Sequence, residues 1–227
     1  MEKLKVVNVI GATGMVGREL VSQLLERPEV GKVRIFVRRK SGMEHPHLEE
    51  VVTGLGTPLN WEKKVTGDVL FSALGTTLKQ AGSKEEQYRV DVTNNFTFAE
   101  TAARNGVSTY VLVSAAGADA GSKIFYSRMK GELDERVQRL PFTSITILRP
   151  SILSGNREVR RPMEEWSVKM MTWVSQWFFR DYRPVPAETV ALAMINAALL
   201  INAPGTTIVK PGELFTLAAV DKSTQNL

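Results

Sequence analysis

The sequence has no cysteine in its 227 residues, which removes disulfides, thiolate nucleophiles, thiolate-held zinc and iron–sulfur clusters together. Histidine is scarce as well, with only two. His45 and His47 flank Pro46 in a polar stretch without helical or strand spacing, so a surface loop is expected there and no metal site. Long apolar runs are also missing. The longest, ALAMINAALLI at 191–201, is interrupted by Asn196 and falls far short of the roughly 20 residues that span a bilayer. No membrane span is expected. The N-terminus passes into a strand-like apolar run within a few residues, leaving no room for a signal or transit peptide; together with the missing cysteine this gives a cytoplasmic protein as the expectation. Charge of one sign is never concentrated except in VRRK at 37–40. A net charge of +5 spread this way suits an anionic cofactor better than nucleic acid.

What is present is an ordinary globular balance. Hydrophobic residues make up 43% and charged residues 23%, which excludes disordered and fibrous classes. The length fits a single domain spanning 1–227, with a substrate-pocket lobe formed mainly by 151–227. Apolar strand-like runs alternate with helical patterns: LKVVNVI, then a helix from Met15 to Glu26 stopped by Pro28, VRIFV at 33–37, a short strand near Val51, and DVLFSAL at 68–74. Helical character follows over 84–104, closed by Asn105 and Gly106; STYVLVS at 108–114, a helix around 124–135 and TSITILRPS at 143–151 come next. Repeated β-then-α order with strands apolar throughout predicts an α/β fold of the doubly wound, Rossmann type, a parallel sheet covered on both faces. After Pro150 the pattern turns to longer helices, EEWSVKMMTWVSQWFF and PAETVALAMINAALLI, with a short strand TTIVK and a closing helix. The Trp and Met residues of 163–179 fit a membrane-surface helix, a substrate-pocket lid or the face of a homodimer, with core or pocket packing as the default.

The most informative stretch is VIGATGMVGREL, which joins the first strand to the first helix and places glycines at 11, 14 and 17. Gly11 permits the tight turn, Gly14 lets backbone approach a pyrophosphate, and Gly17 allows the helix to pack closely on the strand. Ala12, Thr13, Met15 and Val16 complete a loop whose helix N-terminus attracts an anion. The second strand then bears on the choice of dinucleotide. A site of this kind for NAD usually carries an acid about 20 residues beyond the loop, whereas an arginine there meets the 2′-phosphate of NADP. VRIFVRRK at 33–40 has no acid and ends in Arg38, Arg39 and Lys40. Those cations are either a solvated strand end or a 2′-phosphate site, and guanidinium geometry favours NADP(H) over NAD(H).

GATGMVG, the strand end LVSAAGAD, the helix YSRMK and the run LRPS together resemble the short-chain dehydrogenase/reductase superfamily in its atypical or extended branch. FSALGTTLKQAG, SAAGADAGSKIFYSRMKGELDE and LRPSILSGNRE are similar to the bacterial NAD(P)-binding oxidoreductases related to the Tat-interacting protein of 30 kDa. The resemblance covers nearly the whole chain and implies a Tyr-x-x-x-Lys pair with a serine. A carbonyl that accepts hydride develops negative charge on oxygen and needs a proton donor within hydrogen-bond reach. Tyr126 fits that role. Moving a tyrosine from pKa ~10 to about 7 takes roughly 4 kcal/mol of preferential phenolate stabilisation, which Lys130, one turn on, and an oxidised nicotinamide would supply. The resemblance also implies that Lys130 reaches the nicotinamide ribose, that Ser114 binds the substrate oxygen, and that Leu74, Gly75 and Thr76 pass close to the cofactor. Val90, Asp91 and Asn95 would lie on the helix beneath the nicotinamide side, with Arg149 to Ser151 beyond the later strand. Each has a structural counterpart reading: Tyr and Lys four apart share a helix face whatever their purpose, Asp91 can cap a helix, and Arg149 can pair with a carboxylate.

The expectation is an NADP(H)-dependent oxidoreductase acting on a small carbonyl or alcohol. A regulatory NADP(H)-binding redox sensor with little catalysis is the alternative.

Overall fold

The computed structural model describes residues 5–53, 61–154 and 184–220. Its seven-stranded sheet has the order β3-β2-β1-β4-β5-β6-β9, and every neighbouring pair is parallel. The strands are β1 Lys5–Ile10, β2 Val30–Val37, β3 Leu48–Val52, β4 Val69–Ser72, β5 Thr109–Val113, β6 Ser144–Leu148 and β9 Gly205–Val209. β7 Leu153–Ser154 and β8 Val185–Pro186 form a separate parallel pair. The helices are α1 Met15–Leu25, α2 Leu78–Ala81, α3 Lys84–Tyr88, α4 Asn95–Arg104, α5 Phe125–Val137, α6 Ala187–Asn196 and α7 Glu213–Ala218. This is the doubly wound Rossmann arrangement that the alternation of strands and helices predicts.

Alternate strand residues feed two cores, which is why the strands read as apolar throughout. Val7, Val9, Val33, Ile35 and Val37 pack with α1 and α6 on one face. Ile10, Phe36, Leu70, Tyr110 and Leu112 pack with α4 and α5 on the other. The expected strand near Val51 is β3, paired in register with β2 from Leu48 opposite Val33 to Val52 opposite Val37. The helix expected over 84–104 is present without interruption, with a π-helical turn, Arg89–Asn94, between α3 and α4. Such turns are rare and confined to a single turn, so a short apolar pattern does not reveal it.

The described residues after Pro150 are joined to the main domain. β9 extends the sheet beside β6, and α6 buries Val190, Ala191 and Met194 in the core that α1 shares. The Trp- and Met-rich stretch 163–179 lies outside the described residues.

Candidate cofactor and active site

Because all seven strands are parallel, the loops leaving β1, β2, β4, β5 and β6 emerge at one edge of the sheet, where ligands bind in open α/β folds. At the first of them Gly11 adopts φ +77°, and a Cβ there would sit 2.4 Å from the Ala73 carbonyl carbon. Only glycine can occupy that position. Gly14 N–H donates to Gly11 O at 2.9 Å to close the turn. A Cβ on Gly17 would come within 2.1 Å of the same Gly11 oxygen, so α1 packs directly on the loop. Gly14 is the N-cap of α1, with no side-chain cap and no acid in the first turn. The leading N–H groups of α1 are thereby left for an anion. The cradle fits a pyrophosphate on its own geometry.

A groove of about 490 Å³ runs over this cradle, lined by Gly11 to Gly14, Phe36 to Arg38 and Leu74 to Thr76, with Val90 also on its wall. Arg38 follows β2 directly and faces the groove; Arg39 and Lys40 are exposed but are not part of its lining. Met15, Val16 and Gly17 form the first turn of α1, with Val16 and Gly17 buried against the core.

Gly75 connects this groove to the catalytic candidates. A Cβ on Gly75 would stand 3.3 Å from Asp91 Oδ1 and 3.7 Å from Lys130 Nζ, so Gly75 covers an ion pair. That pair, Lys130 Nζ to Asp91 Oδ1 at 2.8 Å, is buried, its side chains 5% and 1% exposed. Asp91 Oδ2 also accepts from Thr76 N–H at 2.8 Å. Asp91 sits in the π-helical turn, a distortion that turns its carboxylate toward α5 and occurs often at functional sites. Burial opposes the charge on Lys130, but the attraction of Asp91, with smaller help from Tyr126 and Asp134, outweighs it and raises the lysine pKa above its ordinary value. Tyr126 is 44% exposed, and Lys130 Nζ lies 6.0 Å from its ring centroid.

Asn95 is a strap. Its side-chain amide donates to Leu74 O at 3.0 Å and Asp91 O at 2.9 Å, and its carbonyl accepts from the Ser72 hydroxyl. It therefore ties the end of β4 to the π-helical turn. Ser114, directly after β5, is buried, and its hydroxyl lies beside the Asp134 carboxyl. Asp134 continues the helix face of Tyr126 and Lys130 at the next fourth residue. Arg149 donates to Asp134 Oδ2 from Nε at 3.0 Å, with Nη2 at 2.9 Å, so its guanidinium is engaged by a carboxylate. Burial pushes the Asp134 carboxyl above the ordinary aspartate range, against the pull of Ser114, Arg149 and Lys130.

Asp134 and Gly131 are functional-site neighbours that do not stand out in the sequence. The first carried a legible signal, the four-residue spacing Tyr126, Lys130, Asp134 on one helix face. The second had none. A Cβ on Gly131 would meet Ala120 N at 2.1 Å, so this glycine lets α5 lie against the loop that follows Ser114.

Known proteins share both the sequence and the fold. Residues 11–198 match the NAD(P)H-binding family. "Protein fmp52-1, mitochondrial" of Aspergillus terreus is 33% identical over 85% of this chain and 87% of its own length. "Protein FMP52, mitochondrial" of Eremothecium gossypii is 36% identical over 66% of this chain and 67% of its own. Among solved structures, Bordetella bronchiseptica WbmH in complex with NAD+ superposes with a TM-score of 0.69 at 15% identity, covering 91% of this chain and 76% of that one. The UDP-N-acetylglucosamine 4-epimerase of Methanobrevibacter ruminantium gives 0.66 at 14%, covering 92% and 77%. At such identities these two show the fold alone.

The cytoplasmic expectation is overturned by these relatives, whose names place them in mitochondria. The early strand and missing cysteine that suggested cytoplasm describe folding chemistry, whereas a compartment address is read by receptors and need not take the form of a recognisable leader. Among the described residues, no helix is long and apolar enough to cross a membrane, and no cluster of His, Asp or Glu could hold a metal ion. By the extent of the family match and the identity of its relatives, the chain belongs to the NAD(P)H-binding family.

Proposed function

We propose that the protein is an NADP(H)-dependent oxidoreductase that interconverts a small carbonyl and its alcohol. The observation that carries this reading is the placement of Gly75, which lines the dinucleotide groove and at the same time covers Lys130. A cofactor in that groove would bring its reactive end to the helix face of Tyr126 and Lys130. When bound, the nicotinamide supplies or accepts hydride. Tyr126 gives its phenolic proton to the substrate oxygen in reduction and takes it back in oxidation. Lys130 favours the phenolate and reaches the ribose hydroxyls, with Asp91 keeping the ammonium charged in a buried setting. Ser114 orients the substrate oxygen, which requires its hydroxyl to turn away from Asp134. Arg38 holds the 2′-phosphate.

A second reading is a cofactor-binding regulator without turnover. The Lys130 charge is already matched by Asp91, and the Ser114 hydroxyl is sealed from solvent; both would suit a protein that binds dinucleotide without reducing anything. The exposed Tyr126 phenol favours the enzyme. Titration of the protein with NADPH and NADH, followed by a carbonyl panel scored for NADPH oxidation, separates the two. Tighter NADPH binding with turnover supports the oxidoreductase; tight binding with no turnover of any carbonyl or alcohol leaves the regulator.

A further inference from the structure

Gln87 stands in the short, charged helix α3, KEEQY, and is nonetheless only 4% exposed. Ser83 caps this helix by accepting from Glu86 N–H at 3.1 Å. Glu86 and the following Arg89, ion-paired with each other, form part of the dinucleotide groove wall, while Gln87 turns inward. There its side-chain Nε2 donates to the Thr76 carbonyl at 3.2 Å. An amide is tolerated in this buried place because it has a partner.

That partner is a loop residue held from both sides. Thr76 N–H donates to Asp91 Oδ2 at 2.8 Å, and Thr76 C=O accepts from Gln87. Two residues back, Leu74 O accepts from Asn95 Nδ2 at 3.0 Å. All three anchors come from one stretch of chain, 87–95, and they grip a loop, 74–76, that lines the groove. The Asp91 carboxylate that takes the Thr76 N–H also holds Lys130 through its other oxygen, at 2.8 Å. Displacing Thr76 therefore disturbs both the groove wall and the carboxylate that keeps Lys130 in place. Gln87 itself is not part of the groove lining, so its effect reaches the cofactor only through the loop.

We propose that Gln87 is a positioning residue: by holding the Thr76 carbonyl it fixes loop 74–76 in the form that receives the dinucleotide, and through Thr76 N–H and Asp91 it fixes Lys130. The inference rests on the oxidoreductase reading and adds to it a residue that touches neither cofactor nor substrate.

The test is Gln87→Glu, which keeps the shape of the side chain and makes its donor depend on pH. A carboxylate cannot donate to a carbonyl, whereas a protonated carboxyl can. Burial and the Asp91 carboxylate one turn on both favour the protonated form of the introduced group, so it titrates above the ordinary glutamate range. Calorimetry with NADP+, compared with wild type at each pH, reads the result. Loss of the bond should raise Kd about tenfold at about pH 8, and the affinity should return to within about twofold of wild type at about pH 5. Gln87→Met, which can donate at no pH, should bind about fivefold more weakly than wild type throughout. A side chain that only fills space would lower the melting temperature and leave affinity alone. A ratio that is flat with pH in Gln87→Glu, or wild-type affinity in Gln87→Met, overturns the proposal. With a carbonyl that wild type reduces, Gln87→Met should lower kcat and leave the KM for the carbonyl unchanged; an unchanged kcat overturns the link to Lys130. Should no carbonyl turn over, the oxidoreductase reading fails by itself, and the NADP+ titrations still decide the role of Gln87.

Discussion

Asp91→Asn removes one charge and almost no volume, and the shape of the site makes the consequence large. The substituted side chain can still accept from Thr76 N–H, a bond of 2.8 Å in the wild type, but the Lys130 ammonium loses its partner at 2.8 Å while remaining buried. Removing one member of a buried ion pair costs about 3–5 kcal/mol, a large fraction of the ~5–15 kcal/mol that holds a typical domain folded. Lys130→Met strands the Asp91 carboxylate and should cost a similar amount. The double variant should be destabilised by at least about 2 kcal/mol less than the sum of the singles, because it leaves no lone charge behind. Urea denaturation of the four proteins at neutral pH measures this. The sign of the pH dependence follows from Lys130, whose folded pKa lies above the ordinary 10.5. The stability this contributes is complete below the unfolded value and is lost as pH rises through the folded one. The gap between wild type and Asp91→Asn should therefore be widest at neutral pH and close only in strongly alkaline solution. Effects that add within about 0.5 kcal/mol would refute the idea that the two residues act as a unit.

Arg38→Ala should raise the Kd for NADPH about tenfold while barely affecting NADH, and Arg39→Ala should do less, since Arg38 lines the groove and Arg39 does not; fluorescence titration of both cofactors reads this, and equal losses for the two would contradict it. Gly11→Ala must force a Cβ to within 2.4 Å of the Ala73 backbone at a positive φ. It should lower stability by about 2–4 kcal/mol and abolish NADPH binding, as chemical denaturation and calorimetry would reveal. Asp134→Asn addresses a carboxyl whose pKa burial raises. In wild type, the stability held while Asp134 is protonated is lost as pH climbs through its raised value; the variant should lack that acid-side slope in a pH series of melting temperatures.

The parts of the fold that were legible are those set by local chemistry. The glycine loop is readable because turn, phosphate approach and helix packing each demand a residue without a side chain at a fixed spacing, and the parallel sheet because its strands are buried on both faces. The π-helical turn at Arg89–Asn94 was hidden, since a rare, single-turn distortion has no residue signature of its own. Gly131 looked like any helix residue, because its close partner, the Ala120 backbone, is brought to it by the fold-back of the irregular loop before α5. Long-range pairing also decides what Arg149 does here. Sequence offered either a cofactor contact or a carboxylate partner, and β6 carries Arg149 to Asp134 on α5. Ser114 was readable as a strand-end hydroxyl, whereas the burial of that hydroxyl beside Asp134 follows from how α5 crosses β5.

The central claim is proton transfer by Tyr126, and Tyr126→Phe tests it most directly because the phenol is exposed and its loss leaves the ring and the Asp91–Lys130 pair in place. With a carbonyl that wild type reduces, kcat should fall at least about 100-fold, the usual contribution of a positioned acid, while NADPH binds as before. Turnover undiminished by the substitution would contradict the account.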